Sequence, residues 1–131
     1  MSDENLEVVR GFLEAAEQDD LPSALACLDP DLEWIPRRAP IEGAYRGHAG
    51  YEQFVADTWE IWETFELHFD LRPLDDGRVF AWGTIRARGA GSGAEMDVPV
   101  GGVFDFRNGR IARWHDFGSK EKALEALGLR G

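Results

Sequence analysis

The hydrophobic period changes at Phe65, and this change constrains the fold more than any other feature of the chain. From Phe65 to Arg72 apolar and charged residues alternate, which predicts a strand with one buried and one solvated face. Residues 49–62, just before it, instead place apolar side chains at helical spacing. Three further strand-like runs follow, at residues 79–88, 96–107 and 110–117. The second half is therefore predicted to be an antiparallel sheet of four strands joined by short turns.

Local signals predict two more helices and one short strand near the N-terminus. Ser2, followed by two acidic residues, is a typical cap for the start of a first helix. A short second helix begins at Leu21, with Pro22 in its first turn, and ends at Asp29-Pro30. The apolar segment at residues 32–35 is predicted to be a strand.

Turn and capping residues define the last part of the chain. Asn108-Gly109 separates two strand-like runs, and this pair is typical of a type I′ hairpin turn, which needs positive φ at both positions. Ser119 is predicted to cap a last helix, and Gly128 to end it in a left-handed conformation. One hairpin and one helix are therefore expected here.

This order of elements predicts an α+β fold in a single domain spanning residues 1–131. Helices that segregate to one face of an antiparallel sheet are the arrangement that defines this class. Glycines in the strands or directly after them ease bending of the sheet. They are Gly83, Gly89, Gly101 and Gly102. A strongly bent sheet with helices over its concave face would enclose a pocket.

The second of the four strands predicts an interaction surface. One of its faces is uniformly apolar, and the other carries Phe80 and Trp82. If helices cover only one face of the sheet, these two aromatic side chains face solvent. An exposed apolar patch of that size usually marks an interface, so the chain is predicted to form a homodimer through its sheets.

Composition excludes several classes of partner. Lys and Arg total 14 against 25 Asp and Glu, a formal net charge of −11, which argues against nucleic acids and anionic membranes as partners. The basic pair Arg37-Arg38 is expected to be solvated. The sequence contains no apolar run typical of a signal peptide or a membrane span, which predicts a cytoplasmic protein. One cysteine and three widely spaced histidines predict no metal site, and without a cofactor fingerprint no cofactor is expected.

Two segments resemble a known superfamily. The first is the loop at residues 43–50, GAYRGHAG, which leads into a helix containing Phe54. The second runs from Gly102 to Asp116 and contains GVF, NGRI and WHD. In these segments and in its order of elements the chain resembles NTF2-like proteins, in particular the SnoaL-like members and the limonene epoxide hydrolases. The resemblance implies a cone-shaped fold, but this fold hosts many unrelated activities.

Taken residue by residue, the resemblance retains one acidic group. Asp116 matches the last-strand aspartate of the limonene epoxide hydrolases, whereas their arginine and second aspartate fall on Gly83 and Ile85. The positions that ketosteroid isomerases use also lack the required side chains, at Phe12, Ile35 and Gly102. Both activities are therefore not expected. SnoaL-type polyketide cyclases use one acidic side chain as acid and base in an apolar pocket, and the resemblance implies this role for Asp116.

Strand alternation indicates what surrounds this carboxyl group. Trp114 and Asp116 share one face of the last strand, whereas His115 points the opposite way and cannot form a dyad with Asp116. We predict a pocket for a small hydrophobic molecule, lined by Trp34, Trp62, Ile85, Val98, Val100 and Trp114. Desolvation in such a pocket raises the pKa of an aspartate, which suits general acid or base catalysis.

Two functions remain open at this point. In the first, the protein is an enzyme of the cyclase, isomerase or hydrolase type that uses Asp116 for proton transfer. In the second, it is a non-catalytic dimeric ligand-binding or interaction module in which Asp116 accepts backbone hydrogen bonds or orients the ligand. The residues at positions 83 and 85 favour the second function, and the lone pocket carboxyl favours the first.

Overall fold

A computed structural model describes residues 2–37 and 43–130. The helices in these ranges are α1 (Ser2–Glu17), α2 (Leu21–Ala26), α3 (Gly47–Ile61) and α4 (Lys120–Leu127). The strands are β1 (Leu28–Ile35), β2 (Tyr45–Arg46), β3 (Trp62–Pro73), β4 (Val79–Gly89), β5 (Glu95–Arg107) and β6 (Arg110–Asp116). None of the described helices is both long and apolar enough to cross a membrane.

The six strands form one curved, unclosed sheet in the order β2-β1-β6-β5-β4-β3. Neighbouring strands are antiparallel except for β1 and β6, which pair in parallel with Trp34 opposite Trp114. Helices α1 and α3 pack over the concave face. The α+β class and the bent sheet predicted from the sequence are confirmed, and the parallel pair is an addition to the predicted antiparallel arrangement.

The change of hydrophobic period marks the junction of α3 and β3. The junction lies at Trp62, whose φ of −112° and ψ of 132° are extended, three residues earlier than the alternation alone predicts. Farther along, Asn108 and Gly109 have φ values of 53° and 78°, and Arg107 pairs with Arg110 across them. The predicted two-residue turn with positive φ at both positions is therefore confirmed.

Strand β1 begins earlier than predicted and includes Asp29-Pro30, a pair that is typical of a helix end. The pairing register with β6 shifts between Leu28 and Glu33, and this irregularity accommodates a proline that has no N–H to donate. The carboxylate of Asp29 accepts a hydrogen bond from the Asp31 amide at 2.8 Å. Local hydrogen bonding thus replaces part of the strand ladder here.

The convex face of the sheet is covered near β4, which corrects the predicted exposed patch. Phe80 is fully buried in a cluster with Leu74, Val103 and Ala123 of α4. The side chain of Trp82 is half-buried, with the Lys120 ammonium 4.7 Å from its ring centroid. The prediction that both aromatics face solvent is wrong, because α4 crosses to the face that the other helices leave open. The homodimer remains a prediction, but an exposed aromatic patch on β4 no longer supports it.

Candidate functional site

A cavity of about 430 Å³ lies between α1, α3 and the concave face of the sheet. Its size falls in the range of pockets that hold small organic molecules. The six residues predicted to line a pocket all lie on its wall: Trp34, Trp62, Ile85, Val98, Val100 and Trp114. Asp116 lies on the same wall. The structure therefore brings the sequence-predicted site residues together around one space.

Packed aromatic rings form one end of the cavity. Trp34 of β1 is 6% exposed, and its ring centroid lies 5.1 Å from that of Tyr51, 5.3 Å from Phe54 and 5.6 Å from Phe12. Tyr51 and Phe54 belong to the apolar face of α3, where helical spacing places them one turn apart. Edge-to-face and tilted contacts of this kind fix ring positions, so this end of the cavity has a defined shape.

The sheet supplies an aliphatic wall through cross-strand rows. Leu67 of β3 is paired with Ile85 of β4, which is paired with Val98 of β5. All three side chains line the cavity, because residues at one register position present the same face of a sheet. Alternation along these strands therefore produces a continuous apolar surface.

Asp116 ends β6 and brings a carboxyl group to this apolar space. Its Oδ1 accepts a hydrogen bond from the Gly118 amide at 2.8 Å. Burial raises the pKa of the Asp116 carboxyl, while hydrogen bonds from the Gly118 and Gly101 amides and the charge of Arg37 act in the opposite direction. Because desolvation is the largest of these influences, the environment favours the protonated form relative to an aspartate in water.

Arg37 is a cavity residue that sequence reasoning placed in solvent. It is exposed, as expected, and it also lies on the cavity wall with Asp116. The parallel pairing of β1 and β6 explains this position. Ile35 lies opposite His115, so the C-terminal ends of the two strands lie side by side. Arg37 follows the end of β1 by two residues, but only the parallel pairing of β1 with β6 shows that this position lies near Asp116. Arg38 lies outside the described residues.

Position 83 is unable to carry the arginine found in limonene epoxide hydrolases. Gly83 has φ of +151°, and a Cβ built on it would overlap the carbonyl oxygen of His68. Ile85, the position of the second aspartate, is part of the aliphatic wall. The close approach of the β3 backbone thus leaves no space for a side chain at position 83.

The histidines near the site have other partners. His115 stacks on Phe117 with ring centroids 4.0 Å apart, and strand alternation turns it away from Asp116. Burial lowers the pKa of His115, and the nearby charge of Arg113 adds to this effect. His48 Nε2 lies 2.9 Å from the Leu28 carbonyl oxygen and so ties α3 to β1.

Replacing Asp116 by Asn is expected to increase the free energy of unfolding at neutral pH. Burial raises the folded-state pKa above the unfolded value of about 3.9. Between the two values the folded protein binds more protons than the unfolded chain, so stability falls as the pH rises through this window. Asn carries no charge at any pH, so the variant does not lose this stability. Its side-chain oxygen can still accept the hydrogen bond from the Gly118 amide.

Urea unfolding of the wild type and Asp116→Asn from acid to neutral pH checks this expectation. The gain in stability should be full above the folded-state pKa and vanish below about pH 3.9. A difference that is the same at every pH would contradict burial of the charge as its cause.

Comparison with known proteins finds a matching family and similar solved structures. A family model described as a SnoaL-like domain matches residues 9–114, and Asp116 lies two residues beyond that match. An NTF2-like protein of unknown function from Burkholderia pseudomallei is 27% identical, with 95% of this chain and 97% of that chain covered and a TM-score of 0.79. No curated protein sequence matches the chain.

Two further solved structures share the fold at lower identity. A proposed polyketide cyclase from Xanthomonas campestris pv. campestris is 22% identical over 88% of this chain and 90% of that chain, with a TM-score of 0.78. TerC, co-crystallised with polyporic acid, is 21% identical over 96% of this chain and 97% of that chain, with a TM-score of 0.77. With a family match across most of its length and an NTF2-like fold, the chain belongs to the SnoaL-like domain family.

Proposed function

We propose that the protein binds a small, largely apolar, ring-containing molecule in the cavity and that Asp116 transfers a proton to or from it. The observation that carries this proposal is a desolvated carboxyl group on the wall of an otherwise mostly apolar and aromatic cavity. A carboxyl with a raised pKa works as a general base or acid closer to neutral pH than an exposed one. The reaction class would be a cofactor-independent cyclisation, isomerisation or hydrolysis.

The simplest step for such a group is proton abstraction next to a carbonyl. The Asp116 carboxylate takes the proton, the C–H bonding electrons form the carbon–carbon double bond of an enolate, and the carbonyl oxygen takes the negative charge. The carboxylic acid formed on Asp116 then returns the proton to the same or another carbon. The low polarity of the aromatic and aliphatic walls strengthens the electrostatic interactions along this path.

The relatives support the proposed kind of ligand. One structural neighbour is a proposed polyketide cyclase, and TerC was co-crystallised with polyporic acid. Both are under 25% identical to this chain, so they supply candidate compounds for tests and leave the reaction open.

The alternative function is a non-catalytic ligand-binding or interaction module. The observation in its favour is that Asp116 Oδ1 already accepts the Gly118 amide at 2.8 Å, as a structural carboxylate would. Position 83 also has no space for a side chain, and Ile85 is aliphatic, so neither position supplies a second catalytic group. In this case Asp116 orients the ligand and the bound molecule is released unchanged.

Thermal unfolding in the presence of ring compounds tests binding directly. Naphthalene, anthraquinone and polyporic acid are suitable probes, read by intrinsic tryptophan fluorescence. A ligand that binds the folded protein at 100 times its Kd adds about 2.7 kcal/mol of stability. We expect at least one probe to raise the Tm in a concentration-dependent manner. Binding of none of these probes or of related ring compounds would contradict the proposal.

A cavity-filling variant shows whether the probe sits in the cavity. Val98 faces the cavity from β5, and Val98→Trp is expected to abolish the ligand-induced rise in Tm. Asp97→Trp is the matched control, because it places the same indole on the neighbouring residue, which is exposed and ion-paired to Arg86. If both variants respond to the ligand like the wild type, the binding site lies elsewhere.

A further inference from the structure

The cavity contains one positive and one negative side chain among the described residues that line it. These are Arg37 and Asp116, and the remaining lining residues are aromatic, aliphatic or uncharged. The two groups are close: Gly118 donates its amide to Asp116 Oδ1, and a Cβ built on Gly118 would lie 4.0 Å from Arg37 Nε. The two charges therefore form a polar spot on an otherwise mostly apolar and aromatic cavity wall.

The guanidinium of Arg37 differs from most arginines of the sheet in its partners. Arginines on the strands and their turns hold carboxylates, in the pairs Arg46–Glu33, Arg78–Asp76, Arg86–Asp97, Arg88–Glu95, Arg107–Asp29 and Arg113–Glu33. Within residues 2–37 and 43–130, no carboxylate lies within 4.0 Å of the Arg37 nitrogens. In a chain with a net charge of −11, this cation at the cavity keeps its donors available.

We propose that Arg37 and Asp116 together bind an ionised oxygen of the ligand, so that the ligand is a ring compound carrying a carboxylate or an ionised enol or phenol group. This inference rests on the proposed function and names its substrate class. A guanidinium presents parallel N–H donors that match the two oxygens of a carboxylate. The Asp116 carboxyl, when protonated, donates its O–H to the same oxygen.

The neighbouring carboxyl is compatible with an anionic ligand because the pair shares one proton. Burial already disfavours the charged form of Asp116, and a second negative charge beside it favours proton uptake further. The guanidinium, the ligand anion and the protonated carboxyl together then carry no net charge. A ring compound without a negative charge would give the Arg37 guanidinium no charge-assisted hydrogen bond.

Two probes of equal ring size separate charge recognition from apolar binding. The probes are 2-naphthoate and methyl 2-naphthoate, and their Kd values are measured by fluorescence titration at neutral pH. The wild type is expected to bind 2-naphthoate more tightly than the ester by roughly tenfold to a hundredfold, the range of a charge-assisted hydrogen bond. Arg37→Met should remove most of that preference, because it removes the positive charge that distinguishes the carboxylate from the ester, and it should leave the fold intact, since Arg37 is exposed.

Matched variants separate the possible causes. Arg37→Lys keeps the charge but not the planar fork, and it should retain part of the preference. Arg110→Met removes the same charge from the exposed hairpin start and should change neither Kd, which excludes an effect of net charge. Equal binding of both probes by the wild type would overturn the Arg37 subsite and leave the proposed function intact. Binding of neither probe would overturn the subsite. If the neutral ring compounds also fail to bind, the proposed function is contradicted as well; if they bind, it stands.

Discussion

Asp116→Asn should lower turnover of a bound substrate by about 10²–10⁴-fold while its Kd changes little. The factor is the usual contribution of a positioned general acid or base. The variant keeps the shape of the residue and the oxygen that accepts from the Gly118 amide at 2.8 Å, so the cavity wall is preserved. What it removes is the ability to accept and return a proton, which affects the chemical step alone.

The measurement is single-turnover kinetics on a compound that binds the wild type, with Kd determined in parallel. Asp105→Asn is the matched control, because Asp105 is another half-buried aspartate whose pKa is raised by burial, but it is not among the cavity residues. That variant should retain wild-type turnover. Full activity of Asp116→Asn would contradict its role as acid or base. Binding by the wild type with no turnover of any bound compound would favour the non-catalytic module.

Phe80→Ala is expected to cost about 3–5 kcal/mol of unfolding free energy, the range for removing a buried aromatic side chain. Phe80 is fully buried between the convex face of the sheet and α4, in contact with the cluster that includes Ala123. Its removal leaves a cavity under α4 and weakens the attachment of this helix. In a domain of this size the loss corresponds to a fall in Tm of roughly 10 °C or more.

Arg86→Ala provides the comparison from the same face of the same strand. Arg86 is exposed and its ion pair with Asp97 lies at the surface, so its loss should change stability by no more than about 0.5 kcal/mol. Urea unfolding of both variants gives the two values. A loss of stability for Phe80→Ala as small as that for Arg86→Ala would mean that α4 does not cover the convex face. The exposed aromatic patch would then again support a dimer interface.

Local chemistry explains why much of the fold was predictable. The alternation after Phe65, the Asn108-Gly109 turn and the Ser119 cap each depend on residues close together in the chain. Ser119 accepts from the Lys122 amide at 3.2 Å and Gly128 has φ of 67°, as the cap signals predict. In each case the energy that decides the conformation comes from within a few residues.

Long-range pairing explains most of what was missed. The parallel contact of β1 with β6 joins Trp34 to Trp114, which are separated by most of the chain, and no local pattern encodes it. The position of Arg37 beside Asp116 follows from that contact. The sequence also does not predict on which face of the sheet α4 packs. An amphipathic helix specifies which of its own faces is buried, but not the surface against which that face packs.

The candidate site was predictable to the extent that strand alternation determines it. Val98 and Val100 reach the cavity because they share a face of β5, and Ile85 lies opposite Val98 in the register. The helix-borne wall, with Tyr51 at its centre, depends on how α3 is placed over the sheet. That placement is a tertiary property, fixed in part by the His48 contact with the Leu28 carbonyl.

A crystal structure of the protein with the ring compound that stabilises it most tests directly whether the cavity beside Asp116 is the binding site. We expect the ring to lie between the aromatic end at Trp34 and the polar spot formed by Arg37 and Asp116, with one ligand atom within hydrogen-bonding distance of the Asp116 carboxyl. A ligand bound elsewhere on the protein, with the cavity empty and Asp116 untouched, would contradict it.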